Sequence, residues 1–135
     1  MRYWNFKRYR PKDGFSQIEA WYDVQDDGVR AEFDFALFAL AEIYDWSDET
    51  DCIALGGDFL GLFELIIEAE TDLGEFVQIR PIGFHVPDSC DFIILLCCEK
   101  HGTTYDPPLT KAVEYKQALQ ERGEGELEDY GDFSL

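Results

Sequence analysis

The chain has 135 residues, of which 46% are hydrophobic and 16% aromatic, so it can bury one sizeable core and is too apolar for a disordered protein. Its formal net charge of −18 makes it repel nucleic acid over most of its surface. The longest apolar run, Phe92 to Cys98, is too short to span a membrane and no apolar signal segment follows Met1, so we expect a cytoplasmic protein.

The first twelve residues differ from the rest of the chain in charge. They contain five basic residues and no acidic one, whereas residues 13–135 contain six basic and 29 acidic residues. Aromatic and basic side chains are mixed through residues 3–10, which predicts a first β-strand. This charge map is typical of a protein that attracts basic partners, and plain solubility or neutralisation of the acidic body by the first strand are the alternatives.

Two helices are predicted next. Ser16 and Glu19 form a capping box that begins a short helix over residues 16–26. Apolar residues then recur at spacings of three and four, which predicts a second, longer helix over residues 29–45. The following residues 45–58 are acidic and contain glycine, so we expect a loop there.

Three strands are predicted in the second half of the chain. Residues 62–69 largely alternate between apolar and acidic side chains, as in a strand that is buried on one face. The alternation in residues 75–86 changes phase at Pro81, which predicts a bulge or a bend. Residues 92–98 are apolar throughout, which is typical of a central strand buried on both faces.

A final helix is predicted over residues 109–122, which follow two prolines and precede Gly123. Residues 121–135 contain six acidic residues and few apolar ones, so we expect one domain over residues 1–122 and an acidic tail over residues 123–135. The order βααβββα predicts an α+β fold in which a twisted antiparallel sheet packs against helices.

The four cysteines form no Cys-x-x-Cys pair, and reduced, buried thiols are their expected state. A metal site built from Cys90, Cys97, Cys98 and His101 is the alternative, but these residues lack a recognised ligand spacing. We therefore expect neither a metal nor another cofactor. The lone His85 is expected to pack at the rim of the sheet.

Four sequence blocks carry a resemblance to a known family. They are Tyr9-Arg10-Pro11-Lys12-Asp13-Gly14 followed by Trp21; Gly61-Leu62-Phe63-Glu64-Leu65; Ile79-Arg80-Pro81-Ile82-Gly83-Phe84; and Glu99-Lys100-His101-Gly102 followed by Pro107-Pro108, Lys111-Ala112 and Lys116. In this order the blocks resemble the phage-derived RelE/HigB-like toxins of two-gene toxin–antitoxin systems.

The resemblance implies a RelE-like fold and an enzyme that cleaves mRNA, usually in the ribosome. In this reaction the ribose 2′-OH attacks the adjacent phosphate. Such chemistry needs a base, a cation for the developing phosphorane charge and an acid for the leaving oxygen. The matching positions are Arg80, Lys100 and His101. Lys111 and Lys116 match the family's final helix, and we assign them to partner binding. The implied partner is an antitoxin, and RNA would be met only through the ribosome.

One departure from the family predicts weak RNase activity at best. Where the family strand has an arginine, this chain has Ile66, which alternation places on one face with Glu64, Glu68 and Glu70. Carboxylates on that face would oppose RNA phosphates. We therefore expect these three glutamates to form a docking surface for a basic protein. The alternative role for Arg80 is an ion pair with one of the many acidic residues.

A second class of function stays open beside the toxin. The chain would then be a non-catalytic acidic interaction protein from a phage or mobile element, built on the same fold. It would bind a basic nucleic-acid-binding protein and compete with that protein's DNA or RNA. The four blocks favour the toxin, whereas Ile66 and the net charge of −18 favour the interaction protein.

Overall fold

The computed structural model describes residues 2–101 and 105–129, which form an α+β fold as the sequence predicts. The elements in chain order are β1 Asn5–Arg10, α1 Gln17–Asp23, α2 Asp27–Ala41, β2 Cys52–Ala54, β3 Phe63–Leu65, β4 Ile67–Glu70, β5 Phe76–Val86, β6 Asp91–Lys100, α3 Leu109–Arg122 and β7 Glu126–Asp129. Within these described residues, no helix is long and apolar enough to cross a membrane.

The strands form one sheet in the order β2-β3-β5-β6-β1-β7, and β4 also pairs with β5. All paired strands are antiparallel except β1 and β6, which are parallel with Phe6 opposite Phe92. The prediction of a wholly antiparallel sheet is therefore wrong at this pair. The chain leaves β1 through two helices, and a connection of that length does not force the antiparallel pairing that a hairpin requires.

Helices cover both faces of the sheet, and each face has its own hydrophobic cluster. Helices α1 and α2 pack on the first face, and α3 packs on the second. Strand β6 contributes to both clusters, with Ile94 and Cys97 on the first face and Leu95 and Leu96 on the second. The prediction that residues 92–98 form a central strand with both faces covered is therefore confirmed.

The bulge predicted at Pro81 occurs one residue later. The register of β5 against β6 shifts between Ile82 and Gly83, and Leu95 is the extra residue on β6. A Cβ atom on Gly83 would lie 2.1 Å from the carbonyl oxygen of Ile93, so no other residue fits beside the bulge without moving the backbone.

Helix α2, predicted to continue to residue 45, ends at Ala41. The indole Nε1 of Trp46 donates to the carbonyls of Leu40 and Ile43, at 3.0 and 2.8 Å. The backbone N–H of Trp4 donates to the Ala41 carbonyl at 3.1 Å. These bonds satisfy carbonyls that a longer helix would otherwise have used, so the helix stops one turn early.

The predicted acidic tail, residues 123–135, contains a strand. Residues 126–129 form β7, which pairs with the edge of β1 so that Lys7 lies opposite Asp129 and Arg10 opposite Glu126. Opposite charges facing each other across two strands stabilise this pairing. The remaining predicted tail residues, 130–135, lie outside the described residues.

Candidate functional site

The sequence-predicted site residues lie mainly on the second face of the sheet. In the register of β5 and β6, Arg80 lies opposite Cys98 and Gln78 opposite Lys100. On the other side of β5, Glu68 lies opposite Gln78. Because side chains alternate along a strand, these five residues point to the same face.

Arg80 lies at the centre of this group and is not free to bind a ligand. Its guanidinium forms an ion pair with Glu64, and the two side chains are only 9% and 6% exposed. A second nitrogen, Nη2, donates to Oε1 of Gln78 at 2.7 Å. The ring of Tyr105 closes over the guanidinium, with its centroid 5.1 Å from Cζ. Arg80 therefore forms an ion pair with an acidic residue, which was the alternative prediction for it.

The surroundings of this ion pair are apolar enough to raise the pKa of neighbouring groups. Burial, followed by the charge of the Glu64 carboxylate and a hydrogen bond to it, raises the pKa of the Tyr105 hydroxyl. Burial, with a smaller contribution from the same carboxylate, raises the pKa of Cys98 to about 11. Cys98 is therefore a neutral thiol at neutral pH and is unsuited to act as a nucleophile.

Glu64 does not belong to the docking surface that the sequence predicts. The prediction placed Glu64, Glu68 and Glu70 together on an exposed face, but Glu64 is buried in an ion pair with Arg80. Glu64 belongs to β3, whereas Glu68 and Glu70 belong to β4. The hydrophobic cluster on the second face contains no residue of β4. Glu68 and Glu70 are exposed.

Lys100 and His101 point away from each other. Lys100 is half-buried and lines a surface depression of about 290 Å³ together with Glu68, Phe76 and Gln78. The imidazole of His101 lies 3.0 Å from Glu99, whose other carboxylate oxygen accepts the Trp21 indole N–H on the first face of the sheet. The three residues that match the family's catalytic positions therefore do not converge on one point.

Glu68 lies between two depressions, each of which includes an exposed aromatic side chain. The depression shared with Lys100 contains Phe76, which is 80% exposed. The second, also of about 290 Å³, lies between α2 and β4 and is bordered by Glu32, Asp51 and the 58% exposed Phe35. This region combines exposed apolar surface with carboxylates, and we call it the β4 surface.

The two lysines assigned to partner binding lie on α3. Lys111 is exposed and pairs with Glu114 at 3.4 Å. The Nζ atom of Lys116 lies 5.3 Å from the centroid of the buried Phe84 ring, so its stem packs along the second hydrophobic cluster.

The basic first strand is neutralised by β7. Lys7 pairs with Asp129 at 2.7 Å, and Arg8 and Arg10 both contact Glu128. The hydrogen bond from Lys7 lowers the pKa of Asp129, and the same bond raises the pKa of Lys7. The positive charge of β1 is therefore largely compensated within the chain.

Comparison with known proteins gives no match. No protein-family model, no curated protein and no solved structure matches the chain. In the described parts of the chain, no three or more His, Cys, Asp or Glu side chains are grouped so that they could hold a metal ion. All four cysteines are free thiols.

Sequence reasoning missed an aromatic pocket at the C-terminal end of α2. It has a volume of about 250 Å³, and its lining includes Trp4, Tyr44, Trp46, Phe63 and His85. The sequence contains two aromatic pairs that contribute to it, at residues 3–4 and around residues 44–46. Nothing in the sequence indicates that the two pairs are close in space. The expectation that His85 packs at the rim of the sheet agrees with its half-buried position at the end of β5.

Proposed function

We propose that this chain is a non-catalytic binding protein with a RelE/HigB-like fold, whose β4 surface binds a basic segment of a partner protein. The observation that carries the proposal is the buried ion pair of Arg80 with Glu64. The cation that the resemblance assigns to the RNA phosphate is already neutralised and covered. Releasing it would leave Glu64 as an unpaired buried charge, which costs several kcal/mol, on the order of 3–5.

The geometry of the other two matching residues supports the same proposal. Lys100 faces the depression beside Glu68, whereas His101 is bound to Glu99 on the opposite side of the strand. Cleavage of RNA by its own 2′-OH needs a base, an acid and a cation around one phosphate. Two side chains on opposite faces of a strand cannot contact the same phosphate.

The β4 surface favours a basic, amphipathic partner. Phe35 and Phe76 supply exposed apolar area on either side of Glu68, and the carboxylates of Glu32, Asp51 and Glu68 surround it. Exposed aromatic surface bordered by charge is typical of a protein-binding site. An antitoxin, or a basic nucleic-acid-binding protein that is kept from its DNA or RNA, would meet these requirements.

A second candidate function is an mRNA interferase of the RelE/HigB type. The specific observation in its favour is that Arg80, Gln78 and Lys100 share one face of the sheet beside an open depression. A rotation of the Tyr105 side chain away from Arg80 would uncover the guanidinium on this face.

Expression in bacteria separates the two candidates. We expect the wild-type chain to cause no growth arrest and no mRNA cleavage, and Lys100→Ala to behave identically. Lys12→Ala is the matched control, because Lys12 is an exposed lysine on the turn after β1. Arrest with cleaved mRNA that Lys100→Ala abolishes and Lys12→Ala preserves would overturn the proposal and establish the enzyme.

A binding assay tests the β4 surface directly. The probe is a fluorescent, amphipathic peptide of lysine and leucine, titrated at low and at physiological salt. We expect Glu68→Lys with Glu70→Lys to weaken binding about tenfold at physiological salt, since close charge pairs survive screening better than long-range attraction. Asp13→Lys with Asp58→Lys makes the same change in net charge at exposed sites elsewhere. Equal weakening by both pairs would mean that only the overall charge attracts the peptide.

A further inference from the structure

The aromatic pocket at the end of α2 lies apart from the β4 surface. His85 and Gln78 are seven residues apart on β5, which corresponds to about 23 Å along an extended strand. The pocket volume of about 250 Å³ is below the range of roughly 300–1,000 Å³ that is typical of sites for drug-sized ligands. The pocket is therefore suited to a single side chain or a small planar group.

His85 is held between aromatic rings that leave its nitrogens without partners. The imidazole centroid lies 4.4 Å from each of Trp4 and Trp46 and 4.8 Å from Phe63, and all three contacts are edge-to-face. Burial lowers the pKa of His85 to about 4, so the ring is neutral at pH 7. No hydrogen bond joins the imidazole to any other described residue, so one ring nitrogen is an unused acceptor.

The two indoles are fixed by bonds that point away from the pocket. Trp4 donates its Nε1–H to the Tyr44 carbonyl at 2.9 Å, and Trp46 donates to the end of α2. Tyr44 stacks on Trp4 with ring centroids 5.8 Å apart and planes 19° apart, and it remains 63% exposed. The pocket therefore offers π-systems and an acceptor, but no indole donor.

The electrostatic surroundings favour a cation. Asp45 is exposed at the rim, and a hydrogen bond from the Ser47 N–H lowers the pKa of its carboxyl, so it is ionised at neutral pH. The C-terminal end of α2 adds the negative end of a helix dipole. No lysine or arginine lies among the described residues that line the pocket.

Among biological cations, the guanidinium group matches these features best. It is planar, it stacks on aromatic rings, and it is more weakly hydrated than an ammonium group. Its five N–H donors can serve the neutral imidazole of His85 and the Asp45 carboxylate together. A lysine ammonium is compact and strongly hydrated, so it gains less from an apolar aromatic wall.

We propose that this pocket binds an arginine side chain of a partner protein, with the guanidinium against Tyr44 and Phe63 and within reach of His85 and Asp45. The inference rests on the proposed function for the source of the arginine, since a basic partner presents such side chains. It adds a second, shape-specific contact to the charge-based contact at the β4 surface.

Three tryptophan indole N–H signals make a direct test by 1H–15N NMR. The probe is the blocked peptide acetyl-Gly-Arg-Gly-amide, and the same peptides with lysine or leucine in the middle are the comparisons. We expect saturable shifts of the Trp4 and Trp46 signals with the arginine peptide, several-fold weaker binding with lysine, and none with leucine. The Trp21 indole, which donates to Glu99, is the internal control and should not move.

Two exposed side chains allow variants that keep the fold. Tyr44→Ala and Asp45→Asn should each weaken the arginine peptide by about fivefold or more, in line with a lost cation–π contact or charge of about 1 kcal/mol. Phe15→Ala and Asp58→Asn are the matched controls at exposed sites outside both the pocket and the β4 surface, and they should leave binding unchanged.

Three results would overturn the inference. The first is no shift of the Trp4 or Trp46 signal up to about 10 mM peptide, which excludes even millimolar affinity. The second is equal shifts with the arginine and leucine peptides. The third is a shift with adenosine but not with the arginine peptide, which would identify a planar base as the ligand. The outcome is independent of the β4 surface. If the arginine peptide does not bind but Glu68→Lys with Glu70→Lys still weakens the lysine–leucine peptide, the proposed function stands and the pocket inference fails. If the arginine peptide binds but the two glutamate substitutions have no specific effect, the pocket inference stands and the proposed function fails.

Discussion

The side-chain amide of Gln17 forms two hydrogen bonds with the backbone of Cys97, 80 residues later in the chain. Its Nε2 donates to the Cys97 carbonyl and its Oε1 accepts from the Cys97 N–H, both at 2.7 Å. Strand β1 pairs with β6 only as far as Ile94, so the edge of β6 beyond that point lacks a strand partner on this side. Gln17, the first residue of α1, thus makes the backbone hydrogen bonds to Cys97 that a longer β1 would make.

We expect Gln17→Leu to lower the free energy of unfolding by about 2 kcal/mol, because it leaves a buried N–H and a buried C=O of Cys97 without partners. Urea unfolding followed by tryptophan fluorescence measures this loss. Gln120→Leu, at an exposed position on α3, should change stability by less than about 0.5 kcal/mol. Equal effects of the two substitutions would show that the Gln17 contact does not stabilise the fold.

The buried pair of Arg80 with Glu64 predicts strongly non-additive mutations. Glu64→Leu and Arg80→Leu should each cost about 3 kcal/mol or more, because each leaves one charge buried without its partner. The double variant should cost much less than the sum of the two, since it removes both charges. A double-mutant cycle by urea unfolding checks this, and additive losses would contradict a direct interaction.

The regular elements were predictable because local patterns determine them. Strand β6 follows from an uninterrupted apolar run, and α2 follows from apolar spacings of three and four that place Phe33 and Leu37 in the core. The end of α2 was not predictable, since it depends on the Trp46 side chain returning to the Leu40 carbonyl. The parallel pairing of β1 with β6 was equally inaccessible, because nothing in β1 itself encodes the direction of its neighbour.

The candidate site was predictable only as a set of residues. Arg80 and Lys100 were identified from the sequence, and the register places both on one face. Which of 29 acidic residues would pair with Arg80 depends on the register of β3 against β5, where Glu64 lies opposite Ile82. That register is a long-range property, so the burial of Glu64 could not be read from the alternation around Ile66.

The pairing of β1 with β7 predicts a charge-swap rescue. Lys7→Asp should speed amide hydrogen exchange in β7 several-fold, because it places two carboxylates opposite each other where Lys7 now bonds Asp129. Asp129→Lys should have a similar effect, and the double variant should restore slow exchange. Lys12→Asp, a charge reversal on the turn after β1, is the control and should leave β7 unchanged. Failure of the double variant to restore protection would show that β7 is held by its backbone bonds and not by this pair.

The aromatic surroundings of His85 predict a loss of stability in mild acid. The pKa of His85 is lowered from 6.5 to about 4 by burial, so as the pH falls the unfolded chain takes up the proton first. The free energy of unfolding is therefore unaffected by His85 above pH 6.5 and decreases as the pH falls toward 4. The decrease is at most about 2 kcal/mol, because water partly screens the half-buried ring. Asp45 in the same pocket has a lowered pKa and stays ionised over most of this window. Urea unfolding from about pH 7 to about pH 4.5 should show a steeper decline for the wild type than for His85→Phe, which cannot take up a proton. His101→Gln, which alters the exposed histidine, should follow the wild type, and parallel declines of the wild type and His85→Phe would contradict the prediction.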